Sequence, residues 1–187
     1  RGLPGFLVNR ILAPYMDEAF RLLQEGLTPE IIDTAAVEFG MPVGPLELAD
    51  SVGLDILVHV ASIVGETIHR SAPPVLQDLV NKGHLGRKSG QGFYRWDADK
   101  PLKNHRPSQA YPLSVQRRLM LSLVNEAVAC LHDRVVADAD LVDAGTIFGT
   151  GFAPFRGGPL QYARQSGFNS LYKEMQLLQQ QYGERFS

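Results

Sequence analysis

Gly44-Pro45-Leu46-Glu47-Leu48-Ala49-Asp50-Ser51-Val52-Gly53-Leu54-Asp55-Ile56-Leu57 decides the reading of this 187-residue chain, because the chain writes it twice. Set against residues 158 to 171, Gly158-Pro159-Leu160 through Leu171, it is identical at six of 14 positions. Ordinary residue frequencies give about one identity by chance. Working outward, Asp17-Glu18-Ala19 with Leu23 answers to Asn125-Glu126-Ala127 with Leu131, 108 residues later. Asp33 answers to Asp143, and Phe39-Gly40 to Phe148-Gly149. Order and most gaps are kept, the signature of an internal duplication.

Each copy reads as helix. From Phe6 to Glu25 apolar residues recur at Val8, Ile11/Leu12, Tyr15, Ala19 and Leu22/Leu23, the three-to-four spacing of an amphipathic helix, and Gly26 closes it. Pro14 falls inside the pattern and predicts a kink, since its ring pushes against the Arg10 carbonyl. Thr28-Pro29-Glu30 opens a second helix that ends at Phe39-Gly40. Pro45 opens a short third helix stopped by Gly53, a fourth follows from Asp55 to His69, and Pro73-Pro74 begins a fifth that ends at Gly83. Strand-like alternation is confined to Gly92 to Trp96. The expected fold is therefore all-α, two tandem copies of a four-to-five-helix unit packed on each other. The first would span residues 1–96 and the second residues 113–187, with a polar, proline-broken linker over 97–112. The long helices Phe6 to Glu25 and Ser114 to Asp133 carry apolar stripes too wide to stay wet, so the copies are expected to meet through them.

Composition narrows the function. With 44% hydrophobic and 20% charged residues the chain is neither disordered nor fibrous. Eighteen basic against 20 acidic residues give a formal charge of -2, no general signal for nucleic acid or a membrane surface. The exception is local: residues 82 to 118 hold nine of the 18 basic residues and two acids, Asp97 and Asp99. The lone Cys130 suits a reducing compartment. No apolar run reaches the roughly 18 residues of a membrane span. The opening Arg1-Gly2-Leu3-Pro4-Gly5 reads as a mid-chain linker, so the sequence is expected to be a piece of a longer protein.

Several chemical motifs fail. Gly83 to Ser89 lacks the phosphate-loop spacing. Gly90-Gln91-Gly92 and Gly149-Thr150-Gly151 lack the third glycine and the preceding strand of a dinucleotide fingerprint. The five histidines, His59, His69, His84, His105 and His132, are scattered, which suits surface or helix-end positions. Asp33, Asp143, Glu18 and Glu126 could be paired catalytic carboxylates. Their presence in both copies favours structure, with Glu18 placed to accept from backbone amides of a neighbouring helix. Asn9 is different, because its equivalent is Arg117. Its amide can donate and accept at once, as a hydroxyl or carbonyl substrate requires, or can cap the helix start.

Gly5-Phe6-Leu7-Val8-Asn9-Arg10, Met41-Pro42-Val43-Gly44-Pro45-Leu46-Glu47-Leu48-Ala49-Asp50 and Leu85-Gly86-Arg87-Lys88-Ser89-Gly90-Gln91-Gly92-Phe93-Tyr94 together resemble the C-terminal region of 3-hydroxyacyl-CoA dehydrogenases. The second copy, with Phe148-Gly149-Thr150-Gly151-Phe152-Ala153-Pro154-Phe155-Arg156-Gly157-Gly158-Pro159, looks like the multifunctional fatty-acid-oxidation alpha subunit, which carries this unit twice. The resemblance implies a helical domain that closes the acyl-CoA cleft of an N-terminal Rossmann domain. That domain would hold NAD and a catalytic His-Glu pair, and hydride would pass between an L-3-hydroxyacyl-CoA and NAD in fatty acid beta-oxidation. The chain alone would bind no cofactor and would be inactive. Asn9 would take the positioning role of the family's asparagine, and Arg87 and Lys88 could approach the CoA phosphates. Partners implied are acyl-CoA, the chain's own Rossmann domain and a thiolase subunit, with no nucleic acid and no membrane span, in the cytoplasm. The alternative is a non-catalytic helical module that binds acyl-CoA or a protein.

Overall fold

Prolines and glycines set the helix limits, as the sequence pattern requires. In the computed structural model, which describes residues 4–68, 72–104 and 110–187, the order is α1 (Pro4–Gln24), α2 (Pro29–Phe39), α3 (Pro45–Val52), α4 (Leu54–Ile68), α5 (Pro74–Asn81), α6 (Leu113–His132), α7 (Ala139–Thr150), α8 (Pro159–Ser166) and α9 (Phe168–Tyr182). Proline is the first residue of α2, α3, α5 and α8, where its missing N–H has no intrahelical carbonyl to seek. α1 runs through Pro14 without ending. Two short strands, β1 (Arg95–Asp97) and β2 (Lys100–Leu102), form an antiparallel hairpin with Arg95 opposite Leu102. The strand signal at residues 92–96 is therefore shifted toward the C-terminus, and the first part of the 97–112 stretch belongs to the hairpin. It is the only sheet among the described residues. The fold is all-α apart from it.

The chain divides into two compact units, Arg1–Glu18 with Ala36–Pro42 and Pro112–Ser187, and Ala19–Ala35 with Val43–Tyr111. One boundary cuts through α1 and another through α2, so the units are not the two sequence copies taken whole.

In the first unit the start of α1 lies antiparallel to α6, and the pairing is reciprocal. Arg10 Nε donates to Glu126 at 2.6 Å, and Arg118 Nε donates to Glu18 at 2.6 Å. Arg10 and Arg118 are equivalent positions of the duplication, as are Glu18 and Glu126. Residue i of one helix thus meets residue j of the other and the reverse, the arrangement of a two-fold interface built within one chain. Burial separates the two pairs: the Arg118 and Glu18 side chains are 3% and 2% exposed, those of Arg10 and Glu126 29% and 25%. Glu18 accepts in addition from Arg185 Nε at 2.8 Å. The expectation that Glu18 accepts backbone amides is corrected here, because its carboxylate is satisfied by two guanidinium groups.

The backbone-amide role falls to Asp33 and Asp143. In the second unit Asp33 Oδ1 accepts from Leu46 N at 2.8 Å and Oδ2 from Glu47 N at 2.9 Å, closing the start of α3. In the first unit Asp143 accepts from Leu160 N at 2.7 Å and Gln161 N at 3.1 Å, closing the start of α8. These amides have no partner within their own helices, and the helix dipole favours a carboxylate there. A Cβ on Gly44 would stand 2.2 Å from Asp33, and one on Gly158 2.4 Å from Asp143. That is why glycine precedes the proline in both copies.

Candidate functional site

Asn9 sits in the second turn of α1, five residues after the helix begins at Pro4. That position excludes a helix-start cap, since the orphan amides belong to the first turn. Its amide is exposed, and no other described residue hydrogen-bonds to it. On either side along the helix face lie Phe6 and Ala13, also exposed. Leu7, Ile11 and Tyr15 point the other way into the core. The equivalent of Asn9, Arg117, is engaged: its Nη1 donates to the Tyr162 hydroxyl at 3.1 Å and lies 3.5 Å from Glu174.

Arg87 and Lys88 belong to the other unit, where the loop from Gly86 to Trp96 is held by Asp50. This carboxylate is buried and accepts from Phe93 N at 2.8 Å, Tyr94 N at 2.9 Å and Trp96 Nε1 at 2.9 Å. A Cβ on Gly92 would lie 2.1 Å from Asp50 Oδ1. Burial raises the Asp50 carboxyl above its ordinary range, against the pull of these three donors. Tyr94 continues the network: its hydroxyl donates to Asp33 Oδ2 at 2.8 Å. Burial, outweighing the hydrogen bonds from Leu46, Tyr94 and Glu47, lifts Asp33 to about 6. The same burial, with the Asp33 charge beside it, keeps the Tyr94 phenol protonated and donating. At the tip of the loop Arg87, Lys88 and Ser89 form one turn of 3-10 helix. Lys88 Nζ donates to Asp55 at 2.7 Å, and this bond holds the Asp55 carboxyl below the usual range. Arg87 lies 3.6 Å from Asp99.

Five of the nine basic residues of the basic stretch pair with a carboxylate among the described residues. Beyond Arg87 and Lys88, Lys103 bonds Glu47, Arg117 pairs with Glu174 and Arg118 with Glu18. The loop was marked out in the sequence but no role was given to Asp50; the signal was there in the unmatched position, since the second copy has Arg164 where the first has Asp50. His59 is exposed, His132 ends α6 and His84 follows α5. His69 and His105 lie outside the described residues. Cys130 is buried, and no group of metal-binding side chains occurs among the described residues. Nor is any helix among them long and apolar enough to cross a membrane.

A nicotinamide dinucleotide does not fit these residues. Gly90 ends the 3-10 turn and Gly92 is packed against Asp50, so neither glycine leads from a strand into a helix. Gly149-Thr150-Gly151 is the end of α7, not the start of a helix.

Residues 5–96, with Asn9 and the Asp50-held loop, match the 3-hydroxyacyl-CoA dehydrogenase C-terminal domain. Residues 5–96 belong to this family. Two fatty acid oxidation complex alpha subunits extend the likeness over both copies. That of Vibrio vulnificus is 41% identical over 194 residues, covering 98% of this chain and 28% of the relative. That of Shewanella sp. strain MR-4 is 39% identical over 199 residues, covering 97% and 28%. Among solved structures, 3-hydroxybutyryl-CoA dehydrogenase from Escherichia coli K12 superposes with a TM-score of 0.78 at 25% identity, over 98% of this chain and 58% of that one. The dehydrogenase part of a multifunctional enzyme from C. elegans shares the fold, with a TM-score of 0.63 at 24% identity over 79% and 37%. The chain thus spans a little over a quarter of the length of its alpha-subunit relatives.

Proposed function

We propose that this chain is the substrate-cleft region of an L-3-hydroxyacyl-CoA dehydrogenase acting in fatty acid beta-oxidation. The observation that carries the reading is Asn9: an exposed amide in the second turn of α1, within the family match, with no bond to another described residue. Its NH₂ can donate to the oxygen of a hydroxyacyl or ketoacyl group while its carbonyl accepts, which fixes that oxygen for reaction without moving a proton. Hydride transfer to NAD is the work of a Rossmann domain of the longer protein, and no step of it is assigned to residues of this chain. Residues 1–96 face the active site, 97–112 connect, and 113–187 are the structural partner that a single-copy relative would find in a second subunit.

Arg87 and Lys88 meet the phosphates of CoA. Their present partners are exposed carboxylates, and such pairs are worth about 0–1 kcal/mol, so exchange for a phosphate costs little. A cytoplasmic setting and a thiolase subunit as partner complete the proposal, in line with the complex named for the alpha-subunit relatives. The test is direct: the full-length protein, given an L-3-hydroxyacyl-CoA and NAD, forms NADH. Binding of acyl-CoA without NADH formation would favour the non-catalytic module instead.

A further inference from the structure

The two copies differ on one face of their first helix. α1 and α6 each carry a buried seam at equivalent positions: Leu7, Ile11, Tyr15, Ala19 and Leu22 stand where the second copy has Val115, Leu119, Leu123, Ala127 and Cys130, and all ten are buried. Beside that seam they part. On α6 the stripe is Ser114, Arg117 and Leu121; Leu121 is buried, and Arg117 is tied to Tyr162 and Glu174. On α1 the same positions are Phe6, Asn9 and Ala13, all exposed, Phe6 to 57%. A methyl replaces an isobutyl group, and an amide replaces a guanidinium. The positions that answer to Tyr162 and Glu174 are Leu48 and Val60, which offer no side-chain hydrogen bond. The second copy closes the Arg117 and Leu121 positions of this stripe and leaves only Ser114 exposed, while the first leaves all three positions open around a single amide.

One polar group between two apolar ones is the pattern of a site for a mostly apolar ligand with one oxygen to be fixed. At about 1.5 Å rise per residue, Ala13 lies about 6 Å along the helix from Asn9, on the same face. That is within reach of the first carbons of a chain whose oxygen sits on the Asn9 amide. Resting on the function proposed above, we propose that this stripe is the acyl-facing wall the chain contributes, and that Ala13 sets the acyl length accepted. Phe6 bounds the wall at the other end.

The experiment restores the second copy's filling in the first. In the full-length enzyme, Ala13→Leu and Ala13→Met are compared with the parent for kcat/KM on a short-chain and a long-chain L-3-hydroxyacyl-CoA. Both replacements are good helix formers at an exposed position, so the fold tolerates them, and a melting curve checks this. The long-to-short ratio is expected to fall by about tenfold, the scale on which a few methylene-sized groups discriminate between substrates. An unchanged or raised ratio in both variants overturns the proposal, including the case of equal losses on both substrates, which would mean that the stripe packs against protein. Failure of the dehydrogenase reading looks different, since the parent would then turn over neither substrate.

Discussion

Arg118 and Arg10 hold equivalent places in the duplicated helices, yet the structure predicts very different costs for losing them. Replacing Arg118 by Met keeps most of the aliphatic stem but removes the charge that neutralises Glu18, whose side chain is 2% exposed. Breaking a buried pair in this way costs about 3–5 kcal/mol. Arg185, which also reaches Glu18 at 2.8 Å, holds the expected loss near the lower end, about 3 kcal/mol. Arg118 also stacks 4.1 Å from the Tyr182 ring centroid, a contact that Met replaces only in part. Arg10 meets Glu126 and Asp133 at 2.6 Å each, but its side chain is 29% exposed and those partners are 25% and 46% exposed. Pairs of that exposure are worth about 0.2–1 kcal/mol each. In a chain of this size 1 kcal/mol moves Tm by roughly 2–4 °C. Arg118→Met is therefore expected to lower Tm by roughly 6–12 °C and Arg10→Met, its two pairs taken together at about 1 kcal/mol, by roughly 2–4 °C. Thermal melts followed by circular dichroism on the two single variants and the parent suffice. Equal losses would refute the argument that burial, and not the shared motif, sets the value of each pair.

Three further outcomes follow from the same geometry. Asp33 binds a proton more readily folded than unfolded, because burial raises it to about 6. Its contribution to stability is thus full below pH of about 4 and is lost as pH rises to about 6. Urea melts across that window should show the parent losing stability relative to Asp33→Asn, and a constant difference would contradict it. Asp50→Ala should free the loop from Gly86 to Trp96, leaving two backbone amides and an indole N–H without their acceptor, at a cost of about 2–4 kcal/mol. Faster hydrogen exchange at Phe93 and Tyr94 is the check, and unchanged protection would be inconsistent with it. Replacing Arg87 and Lys88 together by Ala should raise KM for acyl-CoA in the full-length enzyme, more at low salt than at high. A constant KM at low salt would remove both residues from the CoA site.

The duplication was legible because its markers are local and rigid. Gly-Pro before a helix and an aspartate 11 to 15 residues upstream can be matched without knowing what they touch. Their job is also local, closing one helix start. Glu18 shows where such reading stops: its partners are 100 and 167 residues away, and no spacing rule connects them. The repeat did place Arg10 opposite Arg118 in sequence, so the reciprocal pairing was implicit there, but only the packing identifies which carboxylate each arginine meets. The hairpin was half seen, because β2 contains Pro101 and lies in a polar stretch that composition marks as linker. Asn9 was legible as the position that breaks the repeat. Its place in the second turn, which separates an exposed amide from a cap, required the start of α1 at Pro4.

The central claim, that the first copy alone serves the active site while the second supports it, is tested most directly by paired kinetics on Asn9→Ala and Arg117→Ala in the full-length enzyme. If Asn9 fixes the reacting oxygen, its loss lowers kcat by on the order of 10² to 10³, as removal of one preorganised donor does, with the melting temperature nearly unchanged. Arg117→Ala, which removes the bonds to Tyr162 and Glu174, should lower Tm while kcat stays within about twofold. Near-normal turnover in Asn9→Ala, or an equal fall in kcat in both variants, would contradict the account.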